Sequence, residues 1–91
     1  MALFVVSYDL MKEKSGYDYG PLGKELTRIG GVKTLLSVWY VDLDNTAQEV
    51  YDHIMTYLDD NDRLMVVEFS KKPAWGKALQ GTRDWISAHF S

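Results

Sequence analysis

The chain contains no cysteine, so neither a disulfide framework nor a thiolate metal site is available to it. No apolar run approaches the roughly 20 residues that a membrane-spanning helix requires, and no membrane association is expected. A basic excess is missing too. Ten Lys and Arg stand against thirteen Asp and Glu, a net charge of −3, whereas proteins that grip duplex nucleic acid without sequence preference carry a basic field. A phosphate-bearing ligand would therefore have to meet a local basic cluster or a metal held by carboxylates. His53 and His89 have no second His or Cys at ligand spacing, which argues against zinc. Asp59-Asp60-Asn61-Asp62 lacks the Gly and later Glu of a calcium loop and reads as a turn. Gly-rich phosphate loops, nucleophile elbows and a Ser/His/Asp order are all missing. Met1 leads straight into a strand, not into a basic region and an apolar run. No secretory signal is expected, and the location read from this is cytoplasmic.

The 91 residues make one domain, 1–91, with a modest core. A chain of this size buries somewhat over about 60% of its unfolded surface, so oligomerisation would add useful stability. The most informative stretch is the first. Leu3-Phe4-Val5-Val6-Ser7-Tyr8 is strand-forming on both faces and must be covered on both sides; it ends on Asp9. A polar loop, Lys12 to Tyr19, leads to a helix opened by Pro21, with Leu22, Leu26 and Ile29 at helical spacing and Gly30-Gly31 as its stop. Val32 to Asp42 alternates like a strand with a break near Ser37. Asn45 and Gln48 have capping-box spacing ahead of the Val50, Ile54, Leu58 stripe. Arg63 to Phe69 is again apolar on both faces, and a short helix closes the chain.

The order is β-α-β(β)-α-β-α. Right-handed crossovers place the two main helices on one face of the sheet. The other face would then expose a large apolar surface, abnormal on a soluble monomer, and a twofold dimer packing open face on open face removes it. If the last strand neighbours the first and runs parallel to it, Lys12, Lys14, Lys71 and Lys72 all gather at the Asp9 end as phosphate-binding groups. Tyr8, Tyr17, Tyr19, Trp39 and Tyr40 offer either base-stacking faces or core packing; Tyr17 and Tyr19 lie in the polar loop.

The strand ending Ser7-Tyr8-Asp9, the helix stop Gly30-Gly31, the pair Ser37-Val38-Trp39 and the run Asp59-x-x-Asp62-Arg63-Leu64 occur together in one order. In this the chain resembles the small subunit of CRISPR adaptation, an endoribonuclease or endodeoxyribonuclease family, and especially its stand-alone SinR-like relatives. The resemblance spans about residues 2–70. It implies a ferredoxin-like βαββαβ sandwich, here with a short C-terminal helix, dimerising through the open sheet face. It also implies that Asp9 of both protomers meets at the twofold axis to hold Mg2+ against a scissile phosphate, with Ser37 on the neighbouring strand in the same region. Relatives carry a basic cluster ending in Arg after the first strand; here that loop has only Lys12 and Lys14, beside Glu13 and Asp18. Two functions stay open: a magnesium-dependent endonuclease acting on RNA or DNA, and a catalytically silent dimer that binds a nucleotide, a nucleic acid or a protein partner.

Overall fold

The computed structural model describes residues 2–11 and 20–90. Within them the order is β1 (Ala2–Asp9), α1 (Gly20–Arg28), β2 (Val32–Leu35), β3 (Val38–Leu43), α2 (Ala47–Met55), β4 (Arg63–Phe69) and α3 (Thr82–His89). The chain is α+β. Its four strands form one sheet in the order β2-β3-β1-β4, and every neighbouring pair is antiparallel.

Alternation in β1 decides where the core lies. Phe4, Val6 and Tyr8 point to one side and are buried with Leu22 and Leu26 of α1, Trp39 and Val41 of β3, and Val50 and Ile54 of α2. Both crossover helices thus share one face, as the right-handed rule requires. The indole N–H of Trp39 donates to the Tyr8 hydroxyl at 3.0 Å, which satisfies the polar ends of two buried aromatics.

Local chemistry sets the helix ends. Gly30 N–H donates to Thr27 O and Gly31 N–H to Leu26 O. That pair of bonds closes α1 with Gly30 in the left-handed region at φ +87°, where a side chain is disfavoured. Gly31 is needed for space: a Cβ there would lie 2.8 Å from both Leu26 O and Val41 Cγ1. α2 opens on Thr46, whose Oγ1 accepts from Glu49 N–H while the Glu49 carboxylate accepts from Thr46 N–H. The cap falls one residue after the Asn45–Gln48 pair expected from spacing. The hydroxyl takes the cap, and the Asn45 amide turns to the Glu49 carboxylate instead. The break near Ser37 is a two-residue turn between β2 and β3, with a register shift between Lys33 and Leu35.

The second face of the sheet departs from the expectation of a helix-free surface. α3 lies on it. Thr82 Oγ1 donates to Thr34 Oγ1 at 2.9 Å in a buried contact, Trp85 packs on Tyr40 and Phe69, and Phe90 stacks on Phe69. At the end of the helix His89 Nε2 meets Asp42 Oδ2 at 3.0 Å, and its ring lies on Trp85 with centroids 4.0 Å apart. The short helix brings its aromatic stripe to the aromatic row of the sheet, and burial of those rings favours the contact.

Cross-strand pairing shows what α3 leaves open. Asp42, Leu3 and Phe69 form one row, and Tyr40, Val5 and Val67 the next. Leu35, Val38, Ser7 and Met65 form a third, and Asp9 with Arg63 ends the sheet. α3 contacts the first row, the Tyr40 side of the second and, through Thr82, Thr34 on the β2 edge. Beyond it Met65 is 63% exposed and Val67 47%, and Leu35 and Leu36 are exposed as well.

Candidate functional site

Asp9 is the last residue of β1 and pairs in register with Arg63, the first of β4. Their side chains approach to 3.9 Å, both largely exposed, a geometry in which water screens most of the attraction. The pair borders a shallow hollow of about 220 Å³ lined also by Ser7, Tyr8, Leu64 and Met65. Asp62 steadies the approach to the site. Its two carboxylate oxygens accept from Met11 N–H and Asp59 N–H, each at 2.8 Å, tying the backbone just after Asp9 to the turn before β4.

Ser37 stands where the sequence places it. Its carbonyl accepts from Tyr8 N–H at 3.1 Å, and the neighbouring Val38 pairs with Ser7, so Ser37 lies beside β1 at the Asp9 end. Tyr8 does not present a stacking face. Its position in β1 turns the ring into the core, where it is buried against the helices, and Trp39 and Tyr40 are likewise buried. Lys71 and Lys72 are not at this end. β4 runs antiparallel to β1, with Phe69 opposite Leu3, so residues that follow β4 lie at the far end of the sheet. The hairpin reverses β3 against β1, and the α2 crossover returns β4 parallel to β3, hence opposed to β1. Lys12, Lys14, Tyr17 and Tyr19 lie outside the described residues.

Arg63 escaped the sequence reading. It is the cation that the structure sets beside Asp9, delivered by the adjacent strand instead of the following loop. Its signal is a charged residue opening an apolar strand, Arg63 to Phe69, next to the acidic turn Asp59–Asp62.

No family model matches the chain, and no solved structure matches it. Among the described residues no three His, Asp or Glu side chains gather where a metal ion could be held. None of the helices described is long and apolar enough to cross a membrane. Asp9 is an exposed carboxylate, a hard oxygen donor of the kind Mg2+ accepts while keeping most of its waters.

A second polar cluster links the helices on the opposite face. Glu25 is buried on α1. Arg28 donates through Nε and Nη2 to its two oxygens at 2.7 Å each, and His53 Nε2 of α2 lies 2.6 Å away. The Arg28 bonds first and the His53 contact second pull the Glu25 carboxyl down to about 2 from an ordinary 4.5. A carboxyl depressed in the fold lends stability that is complete above its unfolded value and is lost as pH falls towards the folded one. The melting temperature is therefore expected to drop between about pH 4.5 and pH 2. Glu25→Gln is expected to shrink that drop without removing it, because the Thr46 backbone N–H and then Asn45 also lower Glu49. Thermal melts across this range check it; an unchanged slope in Glu25→Gln would refute the assignment.

Proposed function

We propose that the chain acts as a nucleic-acid-interacting homodimer of ferredoxin-like fold. In this reading the open half of the sheet is the dimer face, and the Asp9 ends of two copies make a magnesium-dependent phosphodiesterase site. The observation that carries it is the juxtaposition of two features on one surface. An apolar row of exposed Leu35, half-buried Val38 and exposed Met65 runs directly beside the Asp9–Arg63 pair. Burying that row against its own copy brings a second carboxylate and a second guanidinium to the same end.

The donor set suits the ion. Two Asp9 carboxylates would hold Mg2+, which typically takes one or two protein carboxylates and completes its octahedron with water and substrate phosphate. Bound there, the ion supplies Lewis-acid stabilisation of charge on the phosphoryl oxygens. Arg63 contributes a fork of donors matched to phosphate oxygens, and its hold on Asp9 is loose enough to exchange for a substrate. Met11 and the turn at Asp59–Asp62 fix the backbone around the carboxylate.

The Asp9–Arg63 contact itself favours a second reading, a dimer that binds a nucleotide, nucleic acid or protein partner without cleaving it. An arginine beside the carboxylate competes with a metal for it. The two readings separate when the protein is incubated with labelled single- and double-stranded RNA and DNA, with and without magnesium. Magnesium-dependent cleavage supports the nuclease; binding without cleavage on every substrate supports the silent dimer. A cytoplasmic setting suits either.

A further inference from the structure

The stretch from Ser70 to Arg83, which joins β4 to α3 and takes in its first two residues, has a charge unlike the rest of the protein. It contains Lys71, Lys72, Lys77 and Arg83, four of the ten basic residues, and none of the thirteen acidic ones. The remainder of the chain is left with six basic residues against all thirteen acids. All four cations are exposed, and among the described residues none forms an ion pair. Elsewhere the arginines are engaged: Arg28 with Glu25 and Arg63 with Asp9.

The segment is also attached to the body. Leu79 N–H donates to Thr34 O at 2.9 Å, and Thr82 N–H donates to Leu79 O, which seats it against the β2 edge. Between these charges stands Trp75, 43% exposed, whereas Trp39 is buried in the core and Trp85 packs on Tyr40 and Phe69. Trp75 lines a hollow of about 320 Å³ with Leu79, Gln80, Arg83 and Asp84.

We infer that this segment is a binding site for single-stranded nucleic acid, with an unpaired base on Trp75 and the backbone phosphates on Lys71, Lys72, Lys77 and Arg83. The chemistry favours this class over the alternatives. A tryptophan face amid cations offers the two contacts that single strands use, stacking and phosphate neutralisation, and every base has a face to stack. A duplex hides those faces and brings two phosphate rows towards a body that is otherwise acidic, so a narrow single strand fits and a double helix is repelled. Within the hollow the Asp84 carboxylate can accept from the exocyclic amino group of a base, as carboxylates do with cytosine. Lys71 and Lys72 follow β4 at the end of the sheet opposite Asp9, because β4 is antiparallel to β1, and the segment then runs to Thr34 on the β2 edge; the inference does not depend on any chemistry at Asp9.

The test is fluorescence anisotropy with the full chain and labelled single strands of about 12 nucleotides, within the span that small domains cover. RNA and DNA versions and their duplexes are compared. Single strands are expected to bind and to quench tryptophan emission, and the better of the two identifies which nucleic acid the site prefers. Trp75→Ala is expected to weaken binding by about 5- to 150-fold, the effect of losing one base–aromatic stack. Trp75→Phe, which keeps a ring, is expected to recover most of it. Lys71→Gln with Lys72→Gln is expected to reduce the slope of log affinity against log salt by about 1.4, at about 0.7 per phosphate on a single strand. Lys24→Gln, at an exposed cation of α1 outside both proposed sites, is expected to bind like the wild type, and binding is read without magnesium, so loss of cleavage and loss of this site are distinguishable. Unchanged affinity in both Trp75→Ala and the double lysine variant would overturn the inference. So would duplexes or polyglutamate bound as tightly as the single strands.

Discussion

Asp9→Ala is expected to remove the proposed magnesium-dependent cleavage while leaving the proposed dimer intact. The side chain is exposed at the end of β1 and adds little to the core, so the fold loses almost nothing. The proposed site, by contrast, loses both of its charged ligands, since symmetry removes one from each copy. A loss of about 4 kcal/mol of transition-state stabilisation corresponds to roughly a thousandfold in rate, and a two-carboxylate site deprived of its carboxylates is expected to lose at least that. Cleavage rates with labelled RNA or DNA, read beside sedimentation of the same preparation, check both halves. Cleavage persisting in the variant would place the activity elsewhere or in a contaminant. Asp9→Asn adds resolution, since it keeps shape and removes charge.

Met65→Glu is expected to split the proposed dimer. Met65 stands in the row with Ser7, Val38 and Leu35 on the open half of the sheet, and it is the most exposed large apolar side chain of β4. In the proposed dimer its burial contributes about 1.5–3 kcal/mol per copy. A glutamate there would have to surrender its hydration without a partner, at a cost of several kcal/mol, and the twofold axis counts that cost twice. In the isolated protomer the same residue is solvated, so the fold itself is expected to tolerate the change. Sedimentation at micromolar concentration should give the 10.4 kDa protomer for the variant and twice that mass for the wild type. A variant that sediments like the wild type would show that the open half-sheet is not the contact surface.

Much of the fold was legible in the sequence because its signals are local. The apolar run through Tyr8 ending at Asp9, the Gly30-Gly31 stop and the span Arg63 to Phe69 each carry their own pattern, and the elements fall there. Thr46 in place of Asn45 at the α2 cap is a one-residue error, since both side chains can cap a helix and their neighbours decide which does. The direction of β4 was harder. Nothing within Arg63–Phe69 says whether it runs with β1 or against it, because direction follows from the hairpin and crossover that precede it, and this moved Lys71 and Lys72 to the far end. The packing of α3 was hidden for a related reason. Its aromatic spacing announces a helix, but its partners Tyr40, Asp42, Thr34 and Phe69 come from three strands that only the sheet brings together. Of the candidate site, Asp9 was readable from a strand end and Ser37 only from the resemblance, while Arg63 needed the antiparallel register.

The central claim is that two copies meet through the open half-sheet with their Asp9 ends together. The cysteine-free chain allows a direct measurement: one cysteine is introduced at a time and treated with a short bismaleimide. Asp9→Cys is expected to give a covalent band at twice 10.4 kDa at low protein concentration. Glu68→Cys, near the opposite end of the sheet, is expected to stay at the protomer mass. Cross-linking of Glu68→Cys with none at Asp9→Cys would contradict the arrangement, whatever the sedimenting mass.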